Sequence, residues 1–135
     1  MAREARRPGP VADQDTRPYF EGCARGELVL QRCRGCGAVQ HRPRALCASC
    51  LGPVEHFVAS GRGRVHTFTV THQNQAPGFR DACPYVLAYV DLDEGPRLLA
   101  NVVGCDPAVV RIGIPVRVEF AATEGELPAP VFRPA

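Results

Sequence analysis

Cys33-Arg34-Gly35-Cys36-Gly37, followed by Cys47-Ala48-Ser49-Cys50, decides how this chain is read. Each Cys-x-x-Cys pair curls into a tight turn that aims two sulfurs at one point, and ten residues separate the pairs. Four thiolates converging tetrahedrally are the usual cage for structural zinc, at roughly 2.3 Å per Zn–S bond. The ten-residue middle allows a strand out, a bend at Pro43 and a return to the second pair. Gly37, just past the first pair, suits the positive φ that such a knuckle needs. The spacing predicts a zinc ribbon with Cys33, Cys36, Cys47 and Cys50 as ligands. Iron satisfies the same donor set, so the spacing names the cage and leaves the ion open. A closed four-thiolate site has no open position for substrate, which makes its expected role structural.

Other uses of these cysteines fit less well. Two disulfides need an oxidising compartment, and no secretory signal is visible. A redox Cys-x-x-Cys normally stands alone at the start of a helix in a βαβ unit, a pattern this sequence lacks. The chain has 135 residues and seven cysteines, so Cys23, Cys83 and Cys105 remain as small buried or half-buried side chains. That usage points to a reducing cytoplasm. A net charge of +2 predicts neither strong nucleic-acid binding nor membrane attraction. All sixteen basic residues are Arg, which we read first as coding bias and second as a preference for bidentate anion contacts. No apolar run approaches the length of a membrane span.

Outward from the cysteines the pattern divides in three. Residues 1–14, rich in Arg and Pro, have little to bury and are expected to form a disordered leader. Residues 15–53 hold a short helix and the ribbon. Asp15 or Thr16 caps that helix, Pro18 fits its first turn, Gly26 stops it, and Tyr19, Phe20, Cys23 and Ala24 share its apolar face. Such a helix, about ten residues long, is too short to stand alone, so the aromatic face must dock. Residues 54–135 read as β. Val54–Ala59 is a first strand, and Arg64–His72 alternates with His66, Phe68, Val70 and His72 on one side and Val65 and the threonines on the other. Tyr85–Asp91 and Arg97–Val103 form a hairpin through Asp93-Glu94-Gly95-Pro96. A helical turn follows at Pro107–Val110, then strands near Pro115–Ala121 and Val131–Arg133. Five or so such strands with one helical turn between the third and fourth match a five-stranded OB barrel, so the fold class is mainly β.

These residues also resemble a known family. Tyr19-Phe20-Glu21-Gly22, Arg25-Gly26-Glu27-Leu28, Gln31-Arg32-Cys33, Cys36-Gly37, Pro43-Arg44, Cys47 and Cys50 are similar to the acyl-CoA-associated OB-fold family, domain of unknown function 35. Gly61-Arg62-Gly63, Pro84-Tyr85, Val90-Asp91-Leu92-Asp93-Glu94-Gly95, Gly113 and Phe132-Arg133-Pro134 agree with it, so the likeness spans roughly residues 16–135. Ala48 stands where many members have Pro, which leaves the ligands intact. The resemblance implies a helix, a rubredoxin-like ribbon and an OB barrel, in that order. It also implies a partner: such proteins are typically encoded beside thiolase-like or hydratase-like subunits acting on acyl-CoA thioesters. In steroid side-chain degradation a domain like this binds a thiolase-like aldolase and is needed for its retro-aldol activity.

The residues themselves supply no catalytic motif: no Gly-x-Ser-x-Gly elbow, no His-Glu-x-x-His and no phosphate loop. The residues thus fit a non-catalytic, zinc-binding subunit, and the resemblance implies that it serves as accessory to an acyl-CoA enzyme, in a hetero-oligomer. Tyr85, Leu87 and Tyr89, on the non-core face of their strand, are the expected partner interface unless the helix covers them. Arg62 and Arg64 are candidates for the phosphates of CoA. The alternative class is a single-stranded nucleic-acid-binding OB protein, which requires aromatics interleaved with a basic groove.

Overall fold

A computed structural model describes residues 7–135. Helix α1 (Arg17–Ala24) leads into β1 (Val29–Cys33), β2 (Val39–Gln40) and β3 (Val54–Val58), which pair antiparallel in the order β2-β1-β3. Strands β4 (Arg62–Thr71), β5 (Tyr85–Leu92), β6 (Arg97–Val102), β7 (Pro115–Ala121) and β8 (Ala129–Pro134) close a barrel in the order β4-β5-β6-β8-β7. The β6–β8 contact is parallel and the rest antiparallel, with a 3-10 turn at Pro107–Val109 between β6 and β7. This is the five-stranded OB barrel expected from the sequence, carrying a small ribbon at its N-terminal side.

Ribbon and barrel share one core. Tyr19 and Cys23 of α1, Leu28 and Leu30 from the segment around β1, and the inward side chains of all five barrel strands belong to one buried cluster. Phe132 and Val90, both fully buried, sit in that cluster. Strand β5 shows why: Val86, Ala88, Val90 and Leu92 alternate inward while Tyr85, Leu87 and Tyr89 face out. The helix lies close against β1, because a Cβ on Gly22 would come within 2.5 Å of a Val29 methyl.

Several local expectations are corrected. The helix is eight residues long, and its buried face is Tyr19, Gly22 and Cys23, with Ala24 exposed. Neither Asp15 nor Thr16 caps it through a side chain. Asp13 organises the turn instead, its Oδ1 accepting from the Thr16 N–H at 2.8 Å and from Thr16 Oγ1 at 2.9 Å. The strand expected over Val54–Ala59 as the start of the barrel region runs over Val54–Val58 and instead extends the ribbon sheet, pairing residue by residue with β1. Within β4 the alternation breaks. Val65 pairs with Val90 and Thr67 with Tyr89, so His66 is the extra residue of a bulge. Val65, Phe68 and Val70 consequently all join the core, where strict period-two reading put Val65 opposite the other two.

The expected leader covered residues 1–14, of which 1–6 lie outside the described residues. Arg7 is packed rather than loose: its guanidinium lies 5.2 Å from the Phe79 ring centre and 5.5 Å from that of Tyr85, and it donates to Asn101 Oδ1. The Arg7 carbonyl accepts from the Glu124 N–H at 2.8 Å.

Candidate metal centre and docking face

Two like turns build the four-sulfur cluster. At the first, Cys33 Sγ accepts from the N–H groups of Gly35 and Cys36 at 3.3 and 3.4 Å. The Gly37 N–H returns to the Cys33 carbonyl with Gly37 at φ 75°. At the second, Cys47 Sγ accepts from Ser49 N–H at 3.3 Å, and Leu51 N–H returns to the Cys47 carbonyl. Here the left-handed position is taken by Leu51, at φ 62°, the sole non-glycine with positive φ among the described residues. A side chain there carries a steric cost that glycine would avoid.

The four Sγ atoms lie within 4.8 Å of one another, with Cys33 and Cys47 buried and Cys36 and Cys50 at the surface. Gly52 is where a side chain would intrude: its Cβ would stand 3.2 Å from Cys50 Sγ and 3.3 Å from Cys33 Sγ. The electrostatics also fit a cation. The Cys36 and Gly35 N–H groups hold the Cys33 thiol down to about 6, and the N–H groups of Cys50 and Ser49 lower Cys47. Cys50 receives the Gly52 N–H, but the neighbouring sulfurs outweigh it and push its thiol up to about 11. Four thiolates at this separation repel one another, and a single metal ion removes that repulsion. His41 is not part of the cluster; its ring sits 5.0 Å from that of Tyr19.

The segment between the knuckles is pinned by Gln31, a residue the sequence reading used only for the family likeness. Gln31 is 2% exposed. Its amide donates to the Arg44 carbonyl at 2.9 Å, and its Oε1 accepts from Arg44 N–H at 2.9 Å and from Gln40 Nε2 at 2.8 Å. Gln40 in turn accepts from the Ala48 N–H at 2.9 Å. Two glutamines on paired strands thus hold the backbone on both sides of Cys47. A polar residue at a strand position that the pattern makes inward was the available signal.

The expected row on β5 splits. Tyr85 is half-buried, its hydroxyl accepting from Asn74 Nδ2 at 2.9 Å and its ring flanked by Phe79 and Arg7. Leu87 is half-buried. Tyr89 is 45% exposed and pairs across the ladder with Leu99, 52% exposed. Leu99 also borders a cleft of about 160 Å3 lined by Tyr19, Phe20, His41, Arg42 and Pro43. Helix α1 packs on β1 and β8, leaving the Tyr89–Leu99 pair open. Beside it, Asp91 is gripped by Arg97 at 2.6 Å and His66 at 3.1 Å, and the Arg97 hydrogen bond foremost lowers the Asp91 pKa. Sequence reading missed this pairing, because the bulge is what places His66 there.

Arg62 and Arg64 lie on the outer wall of β4, with Gly63 and Val65 turned inward between and beyond them. Neither borders the cleft at Leu99. The exposed tyrosine sits on β5 against β6, and Arg62 on β4 against β7. Tyr89 and Arg62 are therefore not set side by side as a stacking groove requires; among the described residues the arginines that meet aromatic rings are Arg7, at Phe79 and Tyr85, and Arg32, at Phe57.

Among the described residues no helix is long and apolar enough to cross a membrane. Residues 20–55 match the ChsH2 rubredoxin-like zinc ribbon domain, and residues 58–121 the ChsH2 C-terminal OB-fold domain. A probable enoyl-CoA hydratase alpha subunit of Thermomonospora curvata is 38% identical over 133 residues, 98% of this chain and 41% of the relative. A DUF35 domain-containing scaffold protein of Methanothermobacter thermautotrophicus is 36% identical over 104 residues, covering 76% of this chain and 77% of that protein. The solved Ltp2-ChsH2(DUF35) aldolase superposes with a TM-score of 0.84 at 37% identity, over 93% of this chain and 98% of that one. The chain spans only 41% and 35% of the length of the first two curated relatives it matches. On the ribbon, the barrel and these likenesses together, the chain belongs to the ChsH2-type DUF35 family of zinc-ribbon and OB-fold proteins.

Proposed function

We propose that this chain is a non-catalytic accessory subunit that docks on an acyl-CoA enzyme of the thiolase-like, aldolase or hydratase kind, with structural zinc held by Cys33, Cys36, Cys47 and Cys50. The observation that carries the docking half is the exposed Tyr89–Leu99 pair on the outer barrel wall. An apolar centre with Tyr at its heart and the polar Asp91, Arg97 and His66 at its rim has the composition of a protein interface. Support for the partner class comes from the relatives, named as a hydratase subunit and an aldolase. Four thiolates within 4.8 Å of one another, the donor set of structural zinc sites, favour zinc. Four cysteines as thiolate ligands, with Cys23, Cys83 and Cys105 unbridged, suit a reducing, cytoplasmic setting.

The test is co-expression with the thiolase-like, aldolase and hydratase acyl-CoA enzymes of the same host. A stable complex is expected, with enzyme turnover dependent on this chain. Tyr89→Ala with Leu99→Ala should abolish the complex while leaving the melting temperature of the isolated chain nearly unchanged, because both side chains are exposed. Full turnover by the enzyme alone, with no complex formed, overturns the reading.

A further inference from the structure

Around the barrel from Tyr89 and Leu99, the outer faces of β4, β7 and β8 bring arginines together from distant parts of the chain. Arg62 on β4 stands directly opposite Arg117 on β7, and Arg117 stands opposite Arg133 on β8. Arg64 lies two residues along from Arg62 on the same face, its Nη1 donating to the Gly113 carbonyl at 3.0 Å. Directly opposed like charges in a ladder repel, their Cβ atoms about 4.5–5.5 Å apart. The neighbouring carboxylates are already engaged, Glu119 within the row itself and Asp91 and Glu94 outside it. Glu119 takes Arg133 through two contacts, at 2.8 and 3.2 Å, and Asp91, opposite Arg64, is held by Arg97 and His66. Asp93 is exposed in the turn beyond β5, giving its backbone N–H to the Arg62 carbonyl. Among the described residues Arg62 and Arg117 have no ion-pair partner.

We propose that this arginine row is a second docking surface, whose occupant is a carboxylate-rich face of the partner enzyme. The inference rests on the accessory-subunit reading and adds to it the chemistry of one contact. Charge complementarity carries it: the fold sustains a repulsive Arg62–Arg117 pair that partner carboxylates would neutralise. Shape favours a protein surface over a small anion. The row lies on the outer wall of a barrel, whereas small-molecule sites are concave. Three strands place its ends about 9–10 Å apart, a span that suits several carboxylates better than one phosphate. The Glu119–Arg133 fork displays within the chain the bidentate contact that partner Asp or Glu side chains would make with Arg62 and Arg117.

The experiment titrates the metal-loaded full chain with a fluorescent hexaglutamate peptide at about 20 and about 200 mM salt, where screening differs strongly. Arg117→Glu and Arg62→Glu are compared with Arg80→Glu, an exposed control of equal charge change in the loop before β5. The expected result is salt-sensitive peptide binding, weakened about tenfold or more by Arg117→Glu and little by Arg80→Glu. In the complex, association should slow about tenfold in the Arg62→Glu, Arg117→Glu double variant and lose most of its salt dependence. Equal effects of Arg117→Glu and Arg80→Glu would reduce the row to net charge and overturn the proposal. So would binding of CoA or inorganic pyrophosphate at the row without binding of the peptide. If the wild type forms no enzyme complex, the accessory-subunit reading falls, and the peptide titration still decides the row by itself.

Discussion

Replacing Gln31 by Leu tests whether the metal site depends on a buried amide two residues before its first ligand. The change keeps volume and removes three hydrogen bonds of 2.8–2.9 Å, two to the Arg44 backbone and one to Gln40. At about 1 kcal/mol each the gross loss is about 3 kcal/mol. Arg44 is exposed, so its freed N–H and C=O regain water and part of that loss is recovered. The expected destabilisation is therefore about 2 kcal/mol, read as a lower urea midpoint at unchanged slope. The loop running to Cys47 loses its tether at Arg44, so metal transfer to a chromogenic chelator should accelerate. Gln40→Leu should reproduce part of both effects, because Gln40 also holds the Ala48 N–H. The two substitutions together should fall short of additivity by about 1 kcal/mol, as expected for members of one network. A Gln31→Leu protein within about 0.5 kcal/mol of wild type, with unchanged metal release, would refute the reasoning.

Two further outcomes follow from the shared core and from a buried imidazole. Stripping the metal with a chelator, or Cys47→Ser, should lower the melting temperature of a single transition, because Leu28 and Leu30 beside and within the ribbon sheet pack into the barrel's own cluster. Calorimetry resolving an unchanged barrel transition would contradict this. His41 is set by burial foremost, with Arg42 adding, and its pKa is depressed to about 4 from 6.5. Its Nδ1 is buried without a hydrogen-bond partner. The unfolded chain therefore takes up the proton first: the contribution is complete above pH 6.5 and is lost as pH falls through 4, amounting to about 3 kcal/mol. His41→Leu should flatten the stability profile between pH 6.5 and 5, measured by urea unfolding; an unaltered slope would show that the ring protonates freely in the fold.

What the sequence by itself determined was local. The two Cys-x-x-Cys turns, with Gly37 behind the first, follow from short-range geometry, since each knuckle is closed by bonds within a few residues. Likewise the alternation of Val86, Ala88, Val90 and Leu92 against Tyr85, Leu87 and Tyr89 is a property of one strand, and it survived folding intact. Pairing between distant segments was not legible. Val54–Val58 has the pattern of any half-buried strand, and only its ladder with β1 makes it part of the ribbon. The bulge at His66 adds one residue without a marker in composition, yet it turns Phe68 and Val70 to the side of Val65 and brings His66 to Asp91. Arg117 was an ordinary strand arginine until closure of the barrel set it between Arg62 and Arg133. The physical reason is the same in each case. Turns and side-chain alternation depend on neighbours along the chain, whereas register, bulges and the gathering of charges on one wall depend on which strands meet.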